Sequence, residues 1–389
     1  MGESGFVSKQ ESSVRQKTCL FINNSPQPGR KELAKLGGGG KSLLGLLSQL
    51  PASGWRAHVV VPGEGQFTDA LVAMRIPHTV YPFPPLDWRR PLAGVRETAT
   101  WYQLLRRLRP ALIHANGFDL SRSFALAAGL ARVPYITHVR FPVEPEGARW
   151  TLRGLPKPAA FIFNSHAMQH ALWPTLSVLA PKSRPYVVHN AVDLENFAAA
   201  PWPDRPVLRI GMVANFAPFK RHEDFLRMAS DMLKVRQDLE FWIVGEDTQG
   251  TGRRAVLEKL AQELGVATRV RFLGHRADVP DIMRQLHLLV VPSQFEPFGR
   301  VVIEAMACGR PVIGSNDGGI PEIIEHGKTG CLVAVGDHQG FAAAALDLLQ
   351  RRDAWDDMSR AAVSAARERF SLPAHVARIT AIYAEILRR

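Results

Sequence analysis

Cysteine is scarce in this 389-residue chain: Cys19, Cys308 and Cys331 form neither a CxxC pair nor an even framework. That argues against a disulfide scaffold or a thiolate metal site and fits a reducing cytoplasm. Long apolar runs are also missing. Nothing approaches the roughly 20 residues of a membrane-spanning helix, and residues 1–16 lack the apolar core of a signal peptide, so they are expected to be a disordered leader. No helix-turn-helix, zinc-finger or aromatic-basic strand signature occurs, so nucleic acid is not the expected partner.

A chain of this length exceeds what one hydrophobic core usually supports, and with 46% apolar and 22% charged residues it should be globular and two-domain. The net charge of +12 is uneven: residues 1–195 hold 23 Lys and Arg against 12 Asp and Glu, leaving near-neutrality for the rest. The first half therefore either faces an anionic partner, such as an acidic membrane surface or a phosphorylated molecule, or simply has an arginine-rich surface.

Short β-branched runs alternate with helical stretches in both halves, which predicts two doubly wound α/β units. Seven strands are expected in the first half, at 18–23, 57–62, 78–83, 111–115, 135–139, 160–165 and 185–190. Six follow at 208–215, 240–245, 270–274, 288–293, 311–316 and 330–335. The Ala- and Pro-rich stretch NFAAAPWPDRP (196–206) reads as the linker. The domains expected are 1–195, 196–370 and a terminal amphipathic helix, 371–389, that packs either on its own domain or back on the first. Ligands bind beyond the carboxyl ends of strands in such sheets, so two of them would share a cleft.

One segment carries the chemistry. EPFGRVVIE (296–304) follows a predicted strand and opens a helix that stops at Gly309. Phe298, Gly299 and Arg300 then lie at a helix N-terminus, where unsatisfied N–H groups and a missing side chain suit a phosphate. Glu296 and Glu304 bracket that point and can accept hydrogen bonds from hydroxyls on either side. The Gly run GGGGKS (37–42) is not a Walker A loop, because Lys35 occupies the position of its first glycine. It remains a flexible turn, through Gly38, Gly39 and Gly40, that can close on a phosphate or sugar. ITHVRFP places His138 and Arg140 just past a strand end, and His114 reads as a core residue.

The segment PSQFEPFGRVVIEAMACGRPVIGSNDGGIPEIIEHGKTGCLV resembles the signature of the retaining family-4 glycosyltransferases, with more scattered similarity over the first half in IHANG, ITHVR, FIFNS and HNAVDLENF. The resemblance implies the GT-B fold, two facing Rossmann-like domains with an inter-domain cleft. It implies that Glu296 meets the transferred sugar of a nucleotide-sugar donor, Glu304 the ribose, and Phe298, Gly299 and Arg300 the sugar and diphosphate through backbone groups. His138 would sit near the transferred sugar and His275, with Arg276, near the base. An Arg and, five residues later, a Lys would meet the diphosphate. Here Lys220 matches but Asn215 stands at the arginine position, so Lys220 suffices with the helix, or Arg221 or Arg300 moves in. No DxD triplet occurs, and the resemblance implies no cofactor and no metal. The catalytic set is thus Glu296, Lys220 and His138, acting by same-face substitution on a glycan, lipid-linked or other cell-envelope acceptor, as in polysaccharide or lipopolysaccharide biosynthesis. Alternatives are a nucleotide-sugar-binding protein without turnover, or a phosphorylase or epimerase of the same fold. The enzyme is expected in the cytoplasm, peripheral on the inner face of the membrane. Residues 81–110 supply a candidate docking element, since Trp101, Leu104, Leu105 and Leu108 recur at helical spacing beside Arg106, Arg107 and Arg109. That face either lies in an interface or packs on the first sheet.

Overall fold

The computed structural model describes residues 16–24, 37–248 and 250–388, so nearly all of the expected leader lies outside the described residues. Each of the thirteen predicted segments overlaps a strand. In the first half these are β1 (Lys17–Ile22), β2 (Trp55–Val61), β3 (His78–Val80), β4 (Leu112–Ala115), β5 (Tyr135–Val139), β6 (Ala160–Phe163) and β7 (Arg184–Val187). The second half has β8 (Leu208–Val213), β9 (Leu239–Val244), β10 (Val270–Gly274), β11 (Leu288–Val291), β12 (Val312–Ser315) and β13 (Cys331–Val333). Several predicted segments overran at their carboxyl ends. β6 stops at Phe163, for instance, because Ser165 turns the chain by accepting a hydrogen bond from the Met168 N–H and capping the next helix.

The described strands form two all-parallel sheets, ordered β3-β2-β1-β4-β5-β6-β7 and β10-β9-β8-β11-β12-β13. Helices cover both faces of each, so the inner strands are buried on both sides, which explains their unbroken apolar runs. In each sheet the strand order reverses once, between β1 and β4 and between β8 and β11. Those reversals are where such sheets open a crevice for ligands. Residues 196–206 contain neither helix nor strand.

The terminal helix Leu372–Leu387 crosses back to the first sheet. Val376, Ile379, Tyr383 and Ile386 are buried with Cys19, Phe21 and Val59 in one apolar cluster. The helix before it, Arg352–Phe370, packs on the second sheet through Ala362, Ala366 and Phe370. Where the two helices meet, the Val192 N–H donates to the Phe370 carbonyl at 2.9 Å, tying one inter-domain crossing of the chain to the other.

Within the 81–110 stretch, residues Pro91–Leu108 form a helix that includes the predicted turns from Trp101 to Leu108. Its apolar face is not free to lie in a bilayer interface: Trp101, Leu104 and Leu105 pack on Leu20, Ile22 and Phe124 of the first domain's core. Arg106, Arg107 and Arg109 alone of that group remain exposed. Burial of Trp101, Leu104 and Leu105 in that core decides between the two readings for this face.

Candidate active site in the inter-domain cleft

The second-half wall is built at the β8/β11 reversal. The loop after β8 carries Asn215 and a short turn, Pro218–Lys220, and the loop after β11 carries Glu296. Lys220 Nζ donates to Glu296 Oε2 at 2.5 Å, so the ion pair spans the reversal point. The glutamate loop is strapped from both sides. The Gln294 N–H donates to the Phe219 carbonyl at 2.7 Å, the Phe295 N–H to Asp317 Oδ2 at 2.8 Å, and the Gly319 N–H to the Glu296 carbonyl at 2.8 Å. Gly318, at φ +59°, is required: a Cβ there would fall 2.4 Å from the Glu296 carbonyl oxygen. Phe295 itself is held at φ +44°, a left-handed conformation that costs a non-glycine residue about 1–2 kcal/mol and persists only where the surroundings impose it.

The helix Arg300–Ala307 starts at Gly299, whose φ is +101°, with no side-chain cap and no acidic residue in its first turn. Its leading N–H groups remain available to an anion. The Phe298 side chain turns away into the core and stacks on His189 at 5.5 Å, which leaves its backbone at the cleft. One turn into the helix, Glu304 Oε1 accepts from Arg300 Nη2 at 3.1 Å. Of the two arginines considered as substitutes at the Asn215 position, Arg221 is committed to Asp224 through Nε. Arg300 instead reaches across the cleft, with Nη1 donating to the Gly38 carbonyl at 2.8 Å. Asn215 is exposed, 3.5 Å from Thr248 Oγ1. His275 is exposed after edge strand β10, and Arg276 pairs with Asp278.

Facing this wall, the helix Gly38–Gln49 opens on Gly38, Gly39 and Gly40. Arg140 lies beneath the glycines, its Cδ 3.2 Å from where a Cβ of residue 39 would stand. Only 7% of Arg140 is exposed. Its guanidinium donates to Asn116 Oδ1 (2.6 Å), Asn190 Oδ1 (3.1 Å) and Ser42 Oγ (3.3 Å), and sits 3.3 Å from His138 Nδ1. All four partners are neutral, and among the described residues no carboxylate pairs with it. Burial, aided by the nearby Arg300 charge, pulls its pKa down to about 9. A buried cation without a counter-charge is costly and, in a cleft, marks the place where an anion is expected.

His138 is fully buried and stacks on His114 at 5.6 Å. Burial first, then the Arg140 charge, holds its pKa well below the usual range, so the ring is neutral. With Nδ1 accepting from Arg140, the proton is assigned to Nε2, which lacks a partner. The structure therefore places His138 under the cleft floor, with Arg140 above it. His114, hydrogen-bonded through Nδ1 to the Tyr383 hydroxyl at 2.6 Å, is the core residue expected.

Four further residues, Ser165, His166, His189 and Glu322, join the walls and were not singled out from the sequence as site residues. Ser165 Oγ donates to the Pro297 carbonyl at 2.6 Å. Glu322 accepts from the backbone N–H groups of His166 and Ala167 and from His189 Nε2, each at 2.8 Å. Burial pushes the Glu322 carboxyl up, but His189 and the two N–H groups outweigh it and hold the group below its ordinary value. His166, His189 and Glu322 bring potential ligand atoms within 4.8 Å of one another. Glu322 is already satisfied as a cap on the helix His166–Leu179, so this grouping reads as a latch between domains.

Residues 207–351 match the family described as glycosyl transferases group 1, and residues 36–196 match glycosyltransferase family 4. The chain belongs to the group 1, family 4 glycosyltransferases. Among relatives of this family member, N-acetyl-alpha-D-glucosaminyl L-malate synthase of Bacillus anthracis is 34% identical over 176 residues, 45% of each chain. D-inositol 3-phosphate glycosyltransferase of Thermobispora bispora is 34% identical over 226 residues, 54% of this chain and 52% of that one. The chain thus spans about half the length of the curated relatives it matches. A solved structure of Anabaena Alr3699/HepE in complex with UDP-glucose aligns over 95% of this chain and 99% of the other, at 25% identity and a TM-score of 0.78. The fold is GT-B.

Proposed function

We propose that the chain transfers a sugar from a nucleotide-sugar donor to an acceptor with retention at the anomeric carbon. The observation that carries this is the Lys220–Glu296 pair, set across the β8/β11 reversal beside an uncapped helix N-terminus and opposite Arg140. Glu296 would accept from hydroxyls of the transferred sugar, Glu304 from the ribose, and the backbone of Phe298, Gly299 and Arg300 would line the sugar and diphosphate. His275 lies at the base end and Asn215 beside the phosphates.

In the reaction the bond from the anomeric carbon to the phosphate oxygen breaks, and the acceptor oxygen bonds to the same face. The acceptor proton passes to the departing phosphate oxygen. Lys220 leaves Glu296 for the diphosphate and, with the helix N–H groups, stabilises the charge that develops there. Among the described residues no paired carboxylates suited to double displacement stand at the cleft, which supports same-face substitution. Charge stabilisation by Lys220 and the helix is proposed to need no metal ion, in keeping with a sequence that has no DxD triplet.

The acceptor reading rests on Arg140. A buried, unpaired guanidinium under Gly38, Gly39 and Gly40 suits an acceptor bearing a carboxylate or phosphate. The relatives named for L-malate and inositol 3-phosphate support that class. A lipid-linked or envelope-glycan acceptor fits too if it carries such a group. The excess basic charge of the first half supports peripheral association with an anionic membrane surface in the cytoplasm. Exposed, uncharged Asn215 favours one competing reading, a sugar-nucleotide-binding protein without turnover.

A panel of nucleoside diphosphates and nucleotide sugars in a thermal-shift assay, followed by product analysis, tests the proposal. One donor class should raise Tm in a concentration-dependent way, with glycoside formed on an anionic acceptor. Stabilisation without product would establish the binding-protein reading, free sugar phosphate or an epimerised donor would indicate phosphorolysis or epimerisation, and no stabilisation by any donor would refute both the transferase and binding readings.

A further inference from the structure

The helix whose predicted apolar face proved to be core has a second apolar face, at its other end. Leu92 is 87% exposed and Val95 69%, and Trp88, just before the helix, is 51% exposed. Trp88 and Val95 line a groove of about 560 Å³ between the helices Pro91–Leu108 and Ser121–Leu130, together with Leu86, Tyr102, Leu126 and Leu130. A cluster of this kind on a solvated surface calls for an occupant.

Charge says which. Arg89 and Arg90 directly follow Trp88, Arg96 directly follows Val95 and Arg132 lies just beyond the second helix, and all four are exposed. The acidic groups nearby are engaged: Asp87 Oδ1 accepts from the Arg89 N–H and lies 3.7 Å from Arg89 Nε, and Glu97 accepts from the Tyr81 hydroxyl. A dry slot rimmed by arginines matches an amphiphile with an apolar chain and an anionic head.

We propose that this groove takes an acyl chain of an anionic membrane lipid, while Arg89, Arg90 and Arg96 meet the headgroup phosphates. This deepens the peripheral-membrane reading above and rests on it, adding a specific lipid-binding site to long-range attraction. Segment 81–90, which carries Leu86 and Trp88, leaves the carboxyl end of β3. Strand carboxyl ends of this sheet also carry Arg140, so docking here would present the cleft to molecules at the membrane surface.

The test uses the full chain with phosphatidylcholine vesicles, with and without phosphatidylglycerol, and with acyl chains brominated or not. Binding should require phosphatidylglycerol, and brominated chains should quench tryptophan fluorescence in a way that Trp88→Phe abolishes. Replacing Arg89, Arg90 and Arg96 together by Ser should lower the partition coefficient on the order of a hundredfold. Val95→Asp, at an exposed position, should remove the quenching while leaving Tm and nucleoside-diphosphate binding unchanged. Salt-sensitive binding without Trp88-dependent quenching would overturn the groove site and spare the peripheral-membrane reading. Absence of binding to either vesicle, or equal binding to both, would overturn both. Donor binding, measured in parallel, reports separately on the transferase reading.

Discussion

At the β8/β11 reversal the second half meets the cleft with a charged pair, Lys220 and Glu296, while the first half meets it with Arg140 among four neutral partners. The difference lies in what each wall can do before a ligand arrives. The second wall is electrically balanced, so on the proposed reading a donor would exchange its own diphosphate and hydroxyls for an existing ion pair. The first wall carries an unbalanced charge at low exposure and gains outright when an anion enters. That contrast predicts that the donor side sets the rate and the acceptor side sets selectivity for charge.

The sharpest way to break the contrast is Lys220→Ala. Loss of the leaving-group cation should lower kcat by about 10²–10³-fold with the fold intact, and near-normal single-turnover rates in a folded variant would remove the leaving-group role. Asn215→Arg, in turn, should not raise activity if the site is already balanced by Lys220 and the helix.

Arg140→Lys keeps the charge and loses the planar fork, so acceptor KM should rise about tenfold, the order expected for one charge-assisted hydrogen bond. Donor affinity should stay unchanged in the same titration. If donor affinity falls instead, the two walls are not divided between donor and acceptor as described.

Acid should also separate the halves. His114, His138 and His375 are buried near Arg140, and burial, foremost, lowers all three, His114 to about 3 and His375 to about 4. The unfolded chain therefore takes up their protons first. Their contribution is fully present above about pH 6.5 and falls as pH drops toward the folded values, by about 1 kcal/mol per histidine per pH unit. Burial likewise lowers His222 to about 3, but within the second half. Hydrogen exchange between pH 6.5 and 4 should show the first sheet opening ahead of the second, and simultaneous opening would show that the histidines do not govern acid stability.

The smallest effect separates the two glutamates. Glu304→Gln should weaken nucleoside-diphosphate binding several-fold, since the amide keeps an acceptor oxygen and loses only the charge assistance, about 1 kcal/mol. Glu296→Gln should instead reduce turnover more than that affinity. Loss of affinity in the Glu296 variant alone would reverse the assignment.

How much of this was readable without coordinates follows from locality. Strand positions were visible because a strand buried on both faces must be a short apolar run, and the glutamate segment because strand end, loop and helix start are contiguous. The brace under Glu296 was half visible: Gly318 and Gly319 could be quoted, but not their approach to the Glu296 backbone. The Arg140 cluster was invisible, since Ser42 lies in the helix Gly38–Gln49 while Asn116 follows β4 and Asn190 follows β7, with no shared spacing. Glu322 stood in a quoted motif without a role, because its partners His166 and His189 lie in the other half of the sequence. Within 81–110 the helical spacing from Trp101 to Leu108 was legible, but periodicity alone does not say whether that face meets the sheet or an interface.

The terminal helix Leu372–Leu387 bears on the order in which the protein is made. Its side chains complete the cluster around Cys19 and Phe21, among the earliest described residues to be synthesised. At about 5–20 residues per second, the ribosome needs roughly 10–40 s after finishing β7 to supply that helix. Within that interval all six strands of the second sheet are made while the first sheet waits with one flank uncovered, so the half synthesised first is the last to close. Pulse proteolysis of stalled nascent chains should show protection appearing in the second sheet before the first.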